Sequence, residues 1–317
     1  MSSVIGVDVG GSLLRAALFD EHLTLLQRAE QPTPVKGGQA AMLEALYETI
    51  RQVLPEDPHD LSGIGVGLPG PLDIERGTVI HAPNLPFEPD LPIARLIREA
   101  VGGPVFLGND ADVAGLAEWS QGAGVGTRNM LYITVSTGVG GGIIVAGEVY
   151  SGRGQGGEIG HMVVMPEGGP LCGCGKRGHL EALASGTAIA REAREALAQG
   201  RDSLIREMVG GDQALITAKL VGQAAAQGDG LAREVYAQAG RYLGIGLASL
   251  LVILNPDRVV MGGGVARAGD LLLGPMREAL AENILHPRYI EQTPIVPAGL
   301  GADTGLIGAA ALVGGSK

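Results

Sequence analysis

Three times in this chain an apolar run of strand character empties directly into a cluster of glycines. Val4-Ile5-Gly6-Val7 leads through Asp8 and Val9 to Gly10-Gly11-Ser12, and Leu131-Tyr132-Ile133-Thr134-Val135 leads to Ser136-Thr137-Gly138-Val139-Gly140-Gly141-Gly142. Arg258-Val259-Val260-Met261 leads to Gly262-Gly263-Gly264. A turn without Cβ atoms lets an anion approach the backbone and lets successive N–H groups converge on it. A chain that repeats this arrangement is expected to be an α/β protein whose strands deliver phosphate-binding turns.

At 317 residues the chain is long enough to bury a sizeable core as two domains, without needing disulfides or metals to do so. With 34 acidic against 23 basic residues the net charge is -11, which argues against a nucleic-acid surface and leaves room for a small anion held by backbone amides. Met1-Ser2-Ser3 runs straight into a strand with no basic leader or cleavage site, and apolar runs such as Leu250-Leu251-Val252-Ile253-Leu254 are short for a membrane span. A cytoplasmic protein with no membrane partner is expected. In that compartment the only two cysteines, spaced C-x-C, are read as metal ligands rather than as a disulfide.

Along the chain, the segment from Val4 to Phe19 reads as a hairpin with Asp8 beside its glycines, an oxygen donor suited to Mg²⁺ or one of its waters. An aspartate in a hairpin turn also needs no ligand at all. A helix is expected over 39–53, strands over 64–68 and 105–107, and a helix from Val113 to Trp119. Gly65-x-Gly67-x-x-Gly70 matches the dinucleotide fingerprint as a string, but Pro71 and Asp73 stand where its helix should open. Asn109-Asp110-Ala111-Asp112 occupies a strand end where a helix begins, a position for catalysis and equally for N-capping. The second half is expected to be helical over 182–199, 213–227 and 231–254. Gly240, Gly244 and Gly246 in the last of these point to close approach of another backbone. A helix over 270–283, a strand near 294–296 and a small-residue helix near 305–313 complete the reading.

Four candidate zinc ligands fall in order, His161, Cys172, Cys174 and His179, a donor set suited to a closed structural site. Glu158 and Glu181 flank the two histidines. Carboxylates so fixed can accept strong hydrogen bonds from a polyhydroxylated substrate, although in isolation each also reads as a solvated loop residue.

Taken together, Asp8-Val9-Gly10-Gly11-Ser12, Asn109-Asp110-Ala111-Asp112, Thr137 to Gly142, Gly157-Glu158-Ile159-Gly160-His161, Cys172-Gly173-Cys174-Gly175-x-x-Gly178 and Gly262-Gly263-Gly264 resemble the ROK family of bacterial sugar kinases and sugar-responsive repressors. The resemblance implies an actin-like ATPase, ribonuclease-H-like fold of two α/β domains flanking a cleft, usually as a homodimer or higher homo-oligomer. It implies an N-terminal domain over 1–115, rejoined by the terminal helix at about 303–317, and a larger domain over 116–302.

Position by position, the resemblance makes Asp110 the general base and Asn84, Asn109, Asp110, Glu158, His161 and Glu181 the contacts to the sugar. Gly6, Asp8, Gly10, Gly11, Ser12, Thr137, Gly138, Gly140, Gly263 and Gly264 are the implied ATP and Mg²⁺ contacts. His161, Cys172 and Cys174 match zinc ligands, while His179 stands where a cysteine is usual. The implied activity is ATP-dependent phosphorylation of a hexose, most simply glucose, at its 6-hydroxyl. N-acetylmannosamine, N-acetylglucosamine, mannose and fructose remain open as substrates. A repressor is disfavoured because the first turn follows Met1 too closely for a helix-turn-helix domain, and an actin-like structural protein leaves the cysteine segment without a purpose.

Overall fold

The computed structural model describes residues 2–82 and 84–314. In chain order the elements are strands β1 (Ser3–Val9), β2 (Leu13–Asp20) and β3 (Leu25–Pro32), helix α1 (Gly38–Arg51), strands β4 (Leu61–Leu68), β5 (Leu72–Asp73) and β6 (Thr78–Val79), helix α2 (Ile93–Val101), strand β7 (Val105–Asn109) and helix α3 (Asp110–Gln121). Strands β8 (Met130–Val135), β9 (Val139–Val145) and β10 (Glu148–Val149) follow. Helices α4 (Leu180–Ala184), α5 (Gly186–Ala198), α6 (Leu204–Met208), α7 (Ala218–Ala226) and α8 (Gly230–Leu254) precede strand β11 (Arg258–Gly262). Helices α9 (Asp270–Asn283) and α10 (Arg288–Gln292), strand β12 (Ile295–Pro297) and helix α11 (Thr304–Gly314) end the described chain.

The elements form two five-stranded sheets, ordered β3-β2-β1-β4-β7 and β10-β9-β8-β11-β12, with β5 and β6 as a separate pair. Contacts divide the chain into two compact units. The first holds Met1–Tyr132, Gly142–Gly157 and Ala298–Lys317, and the second holds Ile133–Gly141 and Glu158–Pro297.

In the first unit β1, β2 and β3 are antiparallel neighbours, while β4 and β7 run parallel to β1. Successive side chains of a strand point to opposite faces, so one face of β1 and β4 presents Ile5, Val7, Ile64 and Val66. These join a buried cluster with Met42, Leu46 and Ile50 of α1 and Ile93 and Ile97 of α2. The other face presents Gly6 and Gly65, which pair in register. There α11 lies on the sheet so closely that a Cβ on Gly6 would come within 2.1 Å of the Leu306 carbonyl, and one on Gly65 within 1.7 Å of the Ala309 carbonyl. Helix packing thus accounts for Gly65 in the Gly65-x-Gly67-x-x-Gly70 string.

The segment entering α11 is fastened by Glu118, a fully buried residue of α3. Its Oε2 accepts hydrogen bonds from the Ala123 N–H at 2.8 Å and the Gly299 N–H at 2.9 Å, and its Oε1 accepts one from the Leu300 N–H at 2.8 Å.

The second unit is organised on α8. Among the described residues this is the one helix of at least 18 residues apolar enough to cross a membrane by length and composition, yet half of its apolar stretch is buried. It packs on α4, α5, α7 and most extensively on α9. Gly240 and Gly244 make the last contact close, since a Cβ on either would come within 2.3 Å of the Leu272 or Met276 carbonyl. Gly246 instead faces the side chain of Leu180.

The helix expected over 182–199 is two helices, because Ser185 leaves the helical conformation and its hydroxyl caps α5 through the Ala188 N–H. Thr217 likewise caps α7, so regular helix begins at Ala218 rather than near Gln213. Helix α6 was not expected. Its first N–H, of Leu204, donates to the Asp229 carboxylate 25 residues away.

Removing a buried acceptor leaves its donors without partners at a cost of about 1–3 kcal/mol for each group. Glu118→Ala is therefore expected to lower the urea midpoint of the first unit markedly and Glu118→Gln, which keeps an acceptor oxygen, to lower it less. An unchanged midpoint in Glu118→Ala would show that its bonds to Gly299 and Leu300 do not hold the segment.

Candidate functional site

The first unit gathers its candidate residues at two strand ends. Asp8 lies in β1 opposite Arg15 of β2, and its Oδ2 accepts a hydrogen bond from Arg15 Nε at 3.0 Å as well as pairing with Arg15 Nη2. Arg15 Nη1 donates to the Ala302 carbonyl. A Cβ on Gly305 would come within 2.8 Å of the Asp8 carboxyl carbon, which places that carboxylate beside the first turn of α11. The turn of Gly10, Gly11 and Ser12 is held by the Gly10 N–H on the Leu13 carbonyl and by the Thr33 hydroxyl on the Gly10 carbonyl at 2.6 Å. Gly11 borders Asn84, which is exposed.

At the end of β7, Asn109 is the N-cap of α3. Its Oδ1 accepts from the Ala111 N–H at 2.9 Å, and its Nδ2 donates to the Gly70 carbonyl at 3.0 Å. The capping reading of this junction therefore falls to Asn109. Asp110 opens the helix and is exposed, whereas Asp112 is buried. Gly6, read from sequence as a nucleotide contact, lies inside β1 against α11, and that close approach accounts for the glycine there.

The second unit carries the other glycine turns and the cysteine segment. The turn after β8 is closed by the Ser136 N–H donating to the Gly138 carbonyl at 2.9 Å. Glu181 Oε2 accepts from the Val139 N–H at 3.2 Å, and a Cβ on Gly138 would sit 2.4 Å from that oxygen. Thr137, Gly138 and Glu181 are thus brought together, and any residue larger than glycine at 138 would displace the carboxylate. Gly140 lies in β9, beyond the turn itself. Glu158 is exposed, with Oε2 at 4.0 Å from His161 Nε2.

His161, Cys172, Cys174 and His179 converge although 18 residues separate the first from the last. Backbone pairing brings them together, with Val163 bridged to His179, Leu171 bridged to Arg177, and the Cys172 N–H donating to the Lys176 carbonyl at 2.7 Å. Their candidate ligand atoms all lie within 4.8 Å of one another. His161 Nδ1 to His179 Nδ1 is 3.3 Å, Cys174 Sγ to His179 Nδ1 is 3.2 Å, and Cys172 Sγ to His161 Nδ1 is 3.8 Å. Tetrahedral zinc with ordinary Zn–N and Zn–S bonds requires ligand separations of roughly 3.3–3.8 Å. The donor types fit that ion, and these three separations lie at or close to that range. Burial pushes the Cys172 thiol up to about 11, and binding a cation reverses that preference by stabilising the thiolate.

A cavity of about 1240 Å³ opens beside two of the glycine turns, with Thr137 and Gly264 in its lining. Four cations, Arg194, Lys219, Arg233 and Arg267, line it as well. Arg194 is tied to the Ile216 carbonyl and Arg233 to the Ala225 carbonyl, whereas Lys219 and Arg267 are exposed. Sequence reading missed all four, since they are spread over 74 positions in no recognisable pattern. A smaller cavity of about 180 Å³ touches none of the glycine turns, and its Arg201 and Glu234 are already paired with each other.

The ROK family model matches residues 4–315, and the chain belongs to that family. It is 39% identical over 313 residues to a glucokinase of Halalkalibacterium halodurans, covering 98% of this chain and 94% of that one. Among solved structures it is similar to a ROK hexokinase from Thermus thermophilus, at 42% identity and a TM-score of 0.81 over 98% of this chain and 97% of that one. It is also similar to a ROK family glucokinase from Streptomyces griseus in complex with glucose and AMPPNP, at 34% identity and a TM-score of 0.80 over 98% of this chain and 99% of that one. The two mixed sheets are those of the actin-like ATPase fold that the motifs led one to expect.

Purified protein supplied with zinc is expected to retain about one ion per chain by elemental analysis. Cys172→Ser and Cys174→Ser are each expected to lose the ion and to lower the thermal midpoint. Wild-type protein that takes up no zinc would remove the metal reading of the cluster.

Proposed function

We propose that this protein is an ATP-dependent hexose kinase acting on glucose at the 6-hydroxyl. The observation that carries the reading is a cavity bordered by two glycine turns and four cations in a chain whose net charge is -11. Such a lining favours a compact polyanion with an apolar end over an extended nucleic acid. The similarity to glucokinases over nearly the whole chain supports glucose as the acceptor.

On this reading Asp110 accepts the proton of the sugar 6-hydroxyl as that oxygen forms a bond to the γ-phosphorus. The bond from the γ-phosphorus to the β–γ bridging oxygen breaks, and ADP leaves with the electron pair. Asn84, Asn109, Glu158, His161 and Glu181 hold the sugar hydroxyls. The amides of the turns at Gly10, Gly138 and Gly263 face the phosphate oxygens, where developing charge is stabilised without reorganisation. Both contacts from Arg15 go to Oδ2 of Asp8. The other carboxylate oxygen suits Mg²⁺ held largely by waters and phosphate, an ion that neutralises phosphoryl charge when bound. The family's homodimer and a cytoplasmic setting, where ATP and free hexose meet, belong to the same reading.

ADP release measured over a panel of hexoses and N-acetylhexosamines, with polyphosphate as an alternative donor, is expected to give the highest kcat/KM for glucose with ATP. Asp110→Asn is expected to lower kcat by about 10²–10⁴-fold while glucose affinity by calorimetry stays within a few-fold. Turnover near the wild-type level would take the role of base away from Asp110.

A further inference from the structure

We infer that Glu181 is a positioning residue for the nucleotide-side glycine turn, and that through it the four-ligand cluster controls how well that turn is formed. The inference rests on the reading that the turn over 136–139 takes phosphate, and it adds a task for the cluster beyond clipping a loop.

Within the second unit, the stretch from His179 to Thr187 behaves as one bracket. His179 is both a candidate metal ligand and the N-cap position of α4, and Glu181 stands in the first turn of that helix. The Leu180 N–H donates to the Met162 carbonyl, which seats this end of the bracket beside His161. The Ser185 N–H then donates to the Glu181 carbonyl, and the Ser185 hydroxyl caps α5, so no slack separates α4 from α5.

This bracket grips the glycine turn on both sides. Glu181 Oε2 takes the Val139 N–H at 3.2 Å. The Gly186 N–H donates to the Ser136 carbonyl at 2.7 Å, and the Thr187 hydroxyl donates to the Thr137 carbonyl at 2.8 Å. Glu181 Oε1 lies 3.6 Å from Cys172 Sγ, whose thiol, when protonated, donates to it, while Oε2 holds the turn amide. Fixing His179 in the coordination sphere fixes the start of α4, and with it the carboxylate two residues further on. Because Gly138 admits nothing larger beneath Oε2, the turn has little freedom to shift once the carboxylate is set.

Amide exchange of the full chain, zinc-loaded and zinc-stripped by chelation, tests this. The peptide covering 134–141 is read against the peptide covering the first-unit turn at 8–14, and AMPPNP affinity is measured by calorimetry without sugar. Stripping is expected to speed exchange in 134–141 by about tenfold or more and to weaken AMPPNP by a similar factor, leaving the 8–14 peptide unmoved. Glu181→Ala is expected to produce both effects while still retaining zinc by elemental analysis.

If stripping disturbs the reference peptide too, the zinc-retaining Glu181→Ala variant decides. Equal exchange in 134–141 for wild type and that variant would overturn the inference, and so would equal exchange in loaded and stripped protein. If loaded wild type binds no AMPPNP, the kinase reading fails by itself, whereas the exchange comparison still reports on the coupling.

Discussion

Helix α11 can lie on the first sheet only because that sheet carries no side chains where the helix backbone crosses it. Gly6 and Gly65 clear the strands, and Gly308 clears the helix where it meets the Val113 carbonyl of α3. The position of a carboxylate follows from this packing. With α11 fixed, its first turn stands against Asp8, where the positive end of the helix dipole favours a negative charge. Arg15 holds the same carboxylate and reaches the Ala302 carbonyl, and Glu118 holds the amides of Gly299 and Leu300 just upstream. A group close to the N-terminus is thereby oriented by residues almost 300 positions later in the chain.

The second unit solves the same problem differently. Its turn at 136–139 is held by the stretch from His179 to Thr187, through three backbone amides or hydroxyls and one carboxylate. Neither unit's glycine turn depends on the rigidity of its own glycines, which are the least constrained residues in a chain. Each glycine turn gains precision from partners that hold it at its edges.

Features that depend on local chemistry were legible in the sequence. The strand-to-glycine junctions, the helix over Asp270–Asn283, the backbone approach at Gly240 and Gly244, and the convergence of His161, Cys172, Cys174 and His179 could all be read from composition and spacing. Features that depend on distant partners could not. Asn109 caps α3 and also donates to the Gly70 carbonyl 39 residues away, and no periodicity reveals that second bond. Glu118 looks like an ordinary helix-surface glutamate until its donors are found 181 and 182 residues downstream. The short helix α6 leans on Asp229, and the break at Ser185 is decided by a hydroxyl that caps α5 within a run of strong helix formers, whose continuous pattern hides the boundary.

Net charge and the charge lining a single cavity are different quantities in this chain. A net charge of -11 spread over the surface is screened beyond about 8 Å at physiological ionic strength. A polyanion inside the second unit's cavity would therefore experience chiefly the groups within that distance. Arg194 and Arg233 line the cavity with their guanidinium groups bound to backbone carbonyls, so their charge is held in place at no further cost in side-chain ordering. Lys219 and Arg267 are exposed and can follow a ligand as it enters. An acidic protein can thus line one cavity with two carbonyl-bound and two exposed cations, against the single carboxylate of Asp270.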